Sequence, residues 1–255
     1  MRLFLRFPLP QNGRPRRGKI FDSPGGVPPW PEIMELRHVT IAIDGERNIR
    51  AVLGVPRTTT MAGILVLAHG ANNDMDHPLI AGLHEKLARQ GLVTVRFNFP
   101  YAEEGRKRPD PDEALEDAYR LVLEYVAELK EFQGLPLYLG GKSMGARLAA
   151  QLVAREVGAS GLVFLGYPLH PPGRPDQLRD RPLYLLPCPT LFIEGARDPF
   201  CRLDLLGEVL GRLPLRSDLH VIPRTGHSFE TDRSVMAPEL LEEICRVILG
   251  WLDSL

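Results

Sequence analysis

The sequence is poor in cysteine, in long apolar runs and in net charge, and each shortage excludes something. It has three cysteines, Cys188, Cys201 and Cys245. The count is odd and no two form a C-x-x-C pair, which argues against a disulfide framework or a thiolate zinc site. A reducing, cytoplasmic setting fits that usage. No apolar run approaches the roughly 18 residues that a membrane-spanning helix needs. The opening MRLFLRFPLP is broken by Arg6 and Pro8 before an apolar core develops, so it reads as neither signal peptide nor anchor. Lys and Arg total 31 against 32 Asp and Glu, for a formal net charge of −1. Without a basic excess, bulk capture of nucleic acid or of an anionic membrane is not expected.

What is there reads as ordinary globular text. Apolar residues make up 44% and charged residues 25% of 255, which excludes a disordered, collagenous or coiled-coil chain. Residues 1–33 stand apart. They hold seven prolines and the basic cluster Arg14, Arg16, Arg17, Lys19, with no sustained period. An extended, flexible arm is expected there, and Met34 offers an alternative start. Residues 34–255 form the expected domain. LRHVTIAID and NIRAVLGVP alternate around Asp44-Gly45, the signature of an antiparallel hairpin. Apolar strands follow at 63–69, 92–98, 135–140, 161–166, 190–195 and 218–223. Helical stretches at 78–90, 144–156, 203–213 and 238–252 separate them, and a stripe of Ala114, Ala118, Leu121, Val122, Tyr125, Val126 and Leu129 marks another. This alternation predicts an α/β fold with a doubly wound, mostly parallel sheet.

Residues 141–145 read Gly-Lys-Ser-Met-Gly, a G-x-S-x-G between a strand and a helix. In that setting the turn strains the serine backbone and exposes its hydroxyl, and the flanking glycines make room for strand and helix. The alternative is a glycine-rich turn with a capping serine. A free serine is a weak nucleophile and needs a base. His227, in Thr-Gly-His-Ser-Phe, follows the last strand. His220 lies inside that strand, His38 in the hairpin, His84 on a helix, and His170 in a proline-rich loop is the rival. The base needs an acid to fix its tautomer. Asp198, in Gly-Ala-Arg-Asp-Pro after the strand TLFIEG, is the candidate. Asp204 suits a helix N-cap, and Asp232 lies far past the loop. An oxyanion hole would use the N–H of Met144 and, from the loop His69-Gly70-Ala71-Asn72-Asn73-Asp74, that of Ala71, with Asn72 as alternative and Gly70 permitting the turn.

With those residues in place, the chain over roughly 36–255 resembles the α/β-hydrolase superfamily. AHGANNDMDHP, RFNFPYAEEGRKRPD, GGKSMGAR and GYPLHPPGRPD are similar to a lid-poor branch related to dienelactone hydrolases. The resemblance implies Ser143 as nucleophile, Asp198 as acid and His227 as base. Dienelactone hydrolases proper use cysteine where this chain has Ser143, so their substrate is not implied.

Two further clusters have plainer readings. Asn73, Asp74, Asp76 and His77 space like metal ligands, but read as an Asx-rich loop capping the helix that Pro78 begins. Glu103 to Arg108 reads as a solvated loop, with Tyr101 and Arg106 where a substrate rim would lie. The 167–189 segment, where a lid would be inserted, is short and holds seven prolines. A shallow, open pocket is expected. The sequence thus points to a serine hydrolase of small esters or thioesters, needing no cofactor or metal. It would act in the cytoplasm as monomer or homodimer, without nucleic-acid or membrane partners. The alternative is a binding or scaffold module that keeps the fold without catalysis.

Overall fold

Asp44 turns the chain between β1 (Met34–Ala42) and β2 (Asn48–Pro56). Its Oδ1 accepts the N–H groups of Glu46 and Arg47 at 3.0 and 2.8 Å, an Asx turn that sets the hairpin register. Met34 faces Pro56 and Ala42 faces Asn48 across this antiparallel pair. The computed structural model describes residues 33–58, 60–155, 157–229 and 238–255. The arm expected over 1–33 lies outside these, apart from Ile33.

Six more strands complete one sheet: β3 (Ile64–Ala68), β4 (Val93–Phe97), β5 (Leu137–Lys142), β6 (Gly161–Leu165), β7 (Thr190–Gly195) and β8 (Ser217–Ile222). The order is β1-β2-β4-β3-β5-β6-β7-β8. β2 pairs antiparallel with β4, and every later pairing is parallel. The sheet is therefore mostly parallel, with the antiparallel hairpin at its N-terminal edge.

The strand side chains alternate between two cores. Leu65 and Leu67 of β3 pack with α1 (Pro78–Arg89) and α6 (Pro238–Leu252). Val66 and Ala68 pack on the other face with α3 (Asp112–Glu128) and α4 (Met144–Arg155). Both faces covered is what a parallel sheet requires, and it explains why β3 reads as an unbroken apolar run. On α4, Leu148, Ala149, Leu152 and Val153 are buried as their spacing predicts. On α3 the buried stripe is rotated from the expected one. Leu115, Tyr119 and Leu123 are inside with Ala118, Val122 and Val126, while Ala114 is exposed. Leu121 and Tyr125 fall on its margin, half-buried.

Two short helices complete the described residues. α2 (Pro100–Glu103) ends where the expected charged loop starts, and α5 (Leu203–Leu210) follows β7. The 167–189 segment holds a single 3-10 turn at Arg181–Leu185 and no helical lid. All three cysteines are unpaired and buried. Burial pushes the Cys188 thiol up to about 12 and the Cys245 thiol up to about 11, and raises Cys201 further.

Candidate active site

β5 runs two residues past its expected end, to Lys142, so that Ser143 stands between strand and helix with no loop at all. The serine backbone takes φ +52°, a left-handed conformation that costs a non-glycine residue of order 1 kcal/mol or more. The flanking glycines explain how the turn closes. A Cβ on Gly141 would meet Ala68 O at 2.5 Å, and one on Gly145 would meet the same atom at 2.4 Å. Ser143 N–H donates to Leu165 O at 3.0 Å, which ties the turn to β6. Beneath it, the buried Tyr119 hydroxyl sits 3.0 Å from Val66 O and from Gly140 O.

The loops after β7 and β8 bring the second and third candidates to this serine. His227 Nε2 is 2.8 Å from Ser143 Oγ, and His227 Nδ1 is 2.6 Å from Asp198 Oδ2. Nδ1–H donating to the carboxylate leaves Nε2 as the acceptor for the serine hydroxyl. Asp198 is held from its other oxygen, which accepts Phe200 N–H at 2.7 Å. The Phe200 ring lies against the imidazole, centroids 4.3 Å apart. The Asp198 side chain is wholly buried and that of His227 is 14% exposed, so the pair is shielded while the imidazole edge stays reachable.

Backbone contacts fix these two loops. Ala196 N–H donates to Ile222 O at 3.0 Å, and Arg197 N–H to Thr225 O at 2.8 Å. A Cβ on Gly195 would meet Gly226 O at 2.4 Å, so only glycine fits at that position. Gly166, at φ +66°, brings the loop after β6 against the His227 ring. Glu194 is the one carboxyl buried among these loops that sequence reasoning missed. Its Oε1 accepts Tyr167 N–H at 2.7 Å, and burial raises its pKa well above the ordinary carboxylate value. A glutamate ending an apolar strand was the only signal.

The loop after β3 approaches from the other side. A Cβ on Gly70 would lie 3.6 Å from Ser143 Cβ. Asn72 turns this loop at φ +61° and is exposed. The Met144 N–H belongs to the first turn of α4, where backbone donors have no intrahelical partner. Tyr101 is not at a rim. It is fully buried, and its hydroxyl sits 3.1 Å from Gly70 O and 3.3 Å from Asn73 O. Pro100 starts α2 and swings the ring under the loop instead of over the surface. Arg106 is engaged by Glu104 and Asp110. His69 completes the support: its Nε2 accepts Phe99 N–H at 3.1 Å, its Nδ1 lies 2.9 Å from Gly70 O, and burial pulls its pKa down to about 4. Asn98 joins it, its Oδ1 accepting Met75 N–H at 2.7 Å.

The remaining candidates have other partners. His170 Nε2 accepts Arg202 N–H at 3.1 Å, and His220 faces Glu243 at 2.8 Å. Asp204 sits inside the first turn of α5 and pairs with Arg202, where an N-cap was expected; Arg202 holds the cap position. Asp232 lies outside the described residues. The metal-like cluster is taken apart: Asn73 donates to Ala71 O, Asp74 accepts Asp76 N–H, Asp76 pairs with Arg96, and His77 Nδ1 accepts Leu79 N–H to cap α1. Among the described residues no three His, Cys, Asp or Glu side chains gather as a metal site, and no helix is long and apolar enough to cross a membrane.

Comparison with known proteins agrees with this architecture. The structure is similar to dienelactone hydrolase from Anabaena variabilis at 23% identity, covering 87% of this chain and 98% of that one, with a TM-score of 0.69. It is also similar to an alpha-beta serine hydrolase homologue from Coxiella burnetii (18% identity, 84% and 96% covered, TM-score 0.67). A lidless a/b serine hydrolase from Xanthomonas campestris matches comparably (18% identity, 86% and 94% covered, TM-score 0.66). At these identities the likeness concerns the fold. The model of the alpha/beta hydrolase domain matches residues 61–252, and the chain belongs to that hydrolase family.

Proposed function

We propose that this protein is a cytoplasmic serine hydrolase that cleaves a small ester or thioester. The observation that carries the reading is the unbroken relay from Ser143 Oγ through His227 to Asp198, at 2.8 and 2.6 Å. Ser143 Oγ attacks the substrate carbonyl carbon while its proton passes to His227 Nε2. Asp198 keeps the imidazole oriented and stabilises the imidazolium that forms. The tetrahedral oxyanion rests on the N–H groups of Ala71 and Met144, with Gly70 and Asn72 shaping the loop that presents the first. His227 then gives its proton to the departing alcohol or thiol, leaving an acyl-Ser143. A water molecule, deprotonated by His227, attacks the acyl carbon, and the proton returns to Ser143 as the acid leaves. No metal or cofactor enters these steps. Three unpaired, buried cysteines suit a reducing compartment.

The test uses a fluorophosphonate, which phosphonylates an activated serine. The wild-type protein takes up one label and Ser143→Ala takes up none. His227→Ala lowers kcat/KM on p-nitrophenyl acetate by at least ~10³-fold, since such residues act as a unit. Labelling that persists in Ser143→Ala overturns the assignment.

A further inference from the structure

A cleft of about 540 Å³ opens beside the nucleophile's helix, and none of the residues assigned to catalysis lines it. Its volume lies in the range of small-molecule sites, about 300–1,000 Å³. Asp112 at the start of α3, Arg147 and Gln151 on α4, and Arg179 and Arg181 of the 167–189 segment supply its polar wall. The charges do not balance. Three guanidiniums face one carboxylate, and that carboxylate is taken. Arg147 grips both oxygens of Asp112, one at 2.9 Å, and also reaches Gln151 Oε1 at 3.1 Å. Asp180, next to Arg179 in the chain, accepts the Tyr184 hydroxyl at 3.0 Å instead. The Arg181 guanidinium has no hydrogen-bond or ion-pair partner among the described residues.

Arg179 is exposed, but its main chain is anchored. Its N–H donates to Leu169 O at 2.7 Å, and its C=O accepts the hydroxyl of the buried Tyr167 at 2.8 Å. The main chain is thus held at both ends of the residue, and the guanidinium is presented to the cleft. Burial first, and the neighbouring Arg147 second, work against its charge. Beside these cations Leu178 and Pro182 add an apolar wall, and Leu178 is one of the few large apolar side chains left exposed. Paired guanidiniums match the oxygens of a phosphate, two N–H groups to each.

We propose that this cleft is a second, non-catalytic site that binds a small organic phosphate monoester. The dianionic phosphate sits between Arg179 and Arg181 with Arg147 behind, and the organic portion lies on Leu178 and Pro182. Two guanidiniums without a carboxylate partner select a dianion over a monoanion, and the apolar wall selects an ester over inorganic phosphate. Arg147 donates its backbone N–H to Ser143 O at 3.1 Å, so the occupied cleft would border the first turn of the helix that carries the nucleophile.

Titration calorimetry on the full chain, with phenyl phosphate, inorganic phosphate and benzoate as probes, tests this directly. Phenyl phosphate binds most tightly of the three. Arg179→Ala and Arg181→Ala each weaken it about tenfold, the worth of one charge-assisted contact. Arg179→Ala keeps its main-chain bonds and Arg181→Ala loses no described partner, so both retain the wild-type melting temperature. Arg216→Ala, which removes a cation paired with Asp218 elsewhere, leaves the affinity unchanged. The proposal fails if phenyl phosphate gives no saturable heat up to ~10 mM. It fails equally if both cleft variants bind like the wild type, if Arg216→Ala weakens binding as much, or if benzoate binds as well.

Discussion

The two loops that flank Ser143 are built differently. The proposed acid–base side, carrying Asp198 and His227, is locked by backbone against backbone: Gly195 against Gly226, Ala196 on Ile222 and Arg197 on Thr225. The proposed oxyanion side, Gly70 to Asn73, is held from below by side chains, the Tyr101 hydroxyl and the His69 imidazole. The first arrangement leaves no room for a Cβ on Gly195. The second tolerates side-chain change but depends on buried polar groups staying neutral and paired. A site can thus be rigid on one side by steric exclusion and on the other by hydrogen bonding, and the two sides should fail under different perturbations.

The largest effect is expected from adding one methyl group to the backbone-locked side. Gly195→Ala sets a Cβ 2.4 Å from Gly226 O, and the backbone of the His227 loop must move. A displacement of this kind costs on the order of 10²-fold in kcat/KM, with about 1–3 kcal/mol of stability. Wild-type turnover on p-nitrophenyl acetate in Gly195→Ala would dissolve the contrast between the two sides.

Acid should strike the other side. His69 has a folded-state pKa near 4 against an ordinary 6.5, so the unfolded chain binds a proton that the folded one refuses. Its contribution to stability is complete above pH 6.5 and is lost as pH falls toward 4. Between pH 7 and pH 5 that loss is about 2 kcal/mol. His69→Gln keeps an acceptor for Phe99 N–H without the titration. The stability gap between wild type and His69→Gln, from urea unfolding, should narrow by about that amount over the same interval. A gap independent of pH would remove His69 as the acid-sensitive support.

The smallest effect belongs to Tyr101→Phe. It strips the hydroxyl from two loop carbonyls and leaves the ring packed, costing about 1 kcal/mol of stability. Turnover falls more than labelling by fluorophosphonate, because the loop donor is loosened while Ser143 and His227 stay in register. An unchanged melting temperature and unchanged turnover would mean that the loop holds its shape alone.

The same contrast explains which parts of the molecule are legible in its sequence. Gly141, Gly145 and Gly195 stand within a few residues of Ser143 and Asp198, because close backbone approach leaves its mark in the chain where it happens. The strand and helix order is legible for a similar reason: strands covered on both faces are written as apolar runs. Tyr101, His69 and Asn98 carry no such mark. Their partners are backbone groups up to about thirty residues away, so Tyr101 reads as a rim residue and His69 goes unassigned. α2 escapes notice because four residues, Pro100 included, are too few for a period. Arg147, Arg179 and Arg181 are separated by up to 34 positions and become neighbours only through the packing of the 167–189 segment on α4.

Oxidants ought to find little purchase on this protein. A thiol is oxidised or alkylated through its thiolate, and Cys188, Cys201 and Cys245 keep their protons far above neutral pH inside the core. The proposed nucleophile, Ser143, is an alcohol, which peroxide does not touch. A hydrolase of the same architecture built on a cysteine would fall silent under peroxide stress, whereas this one would go on turning over.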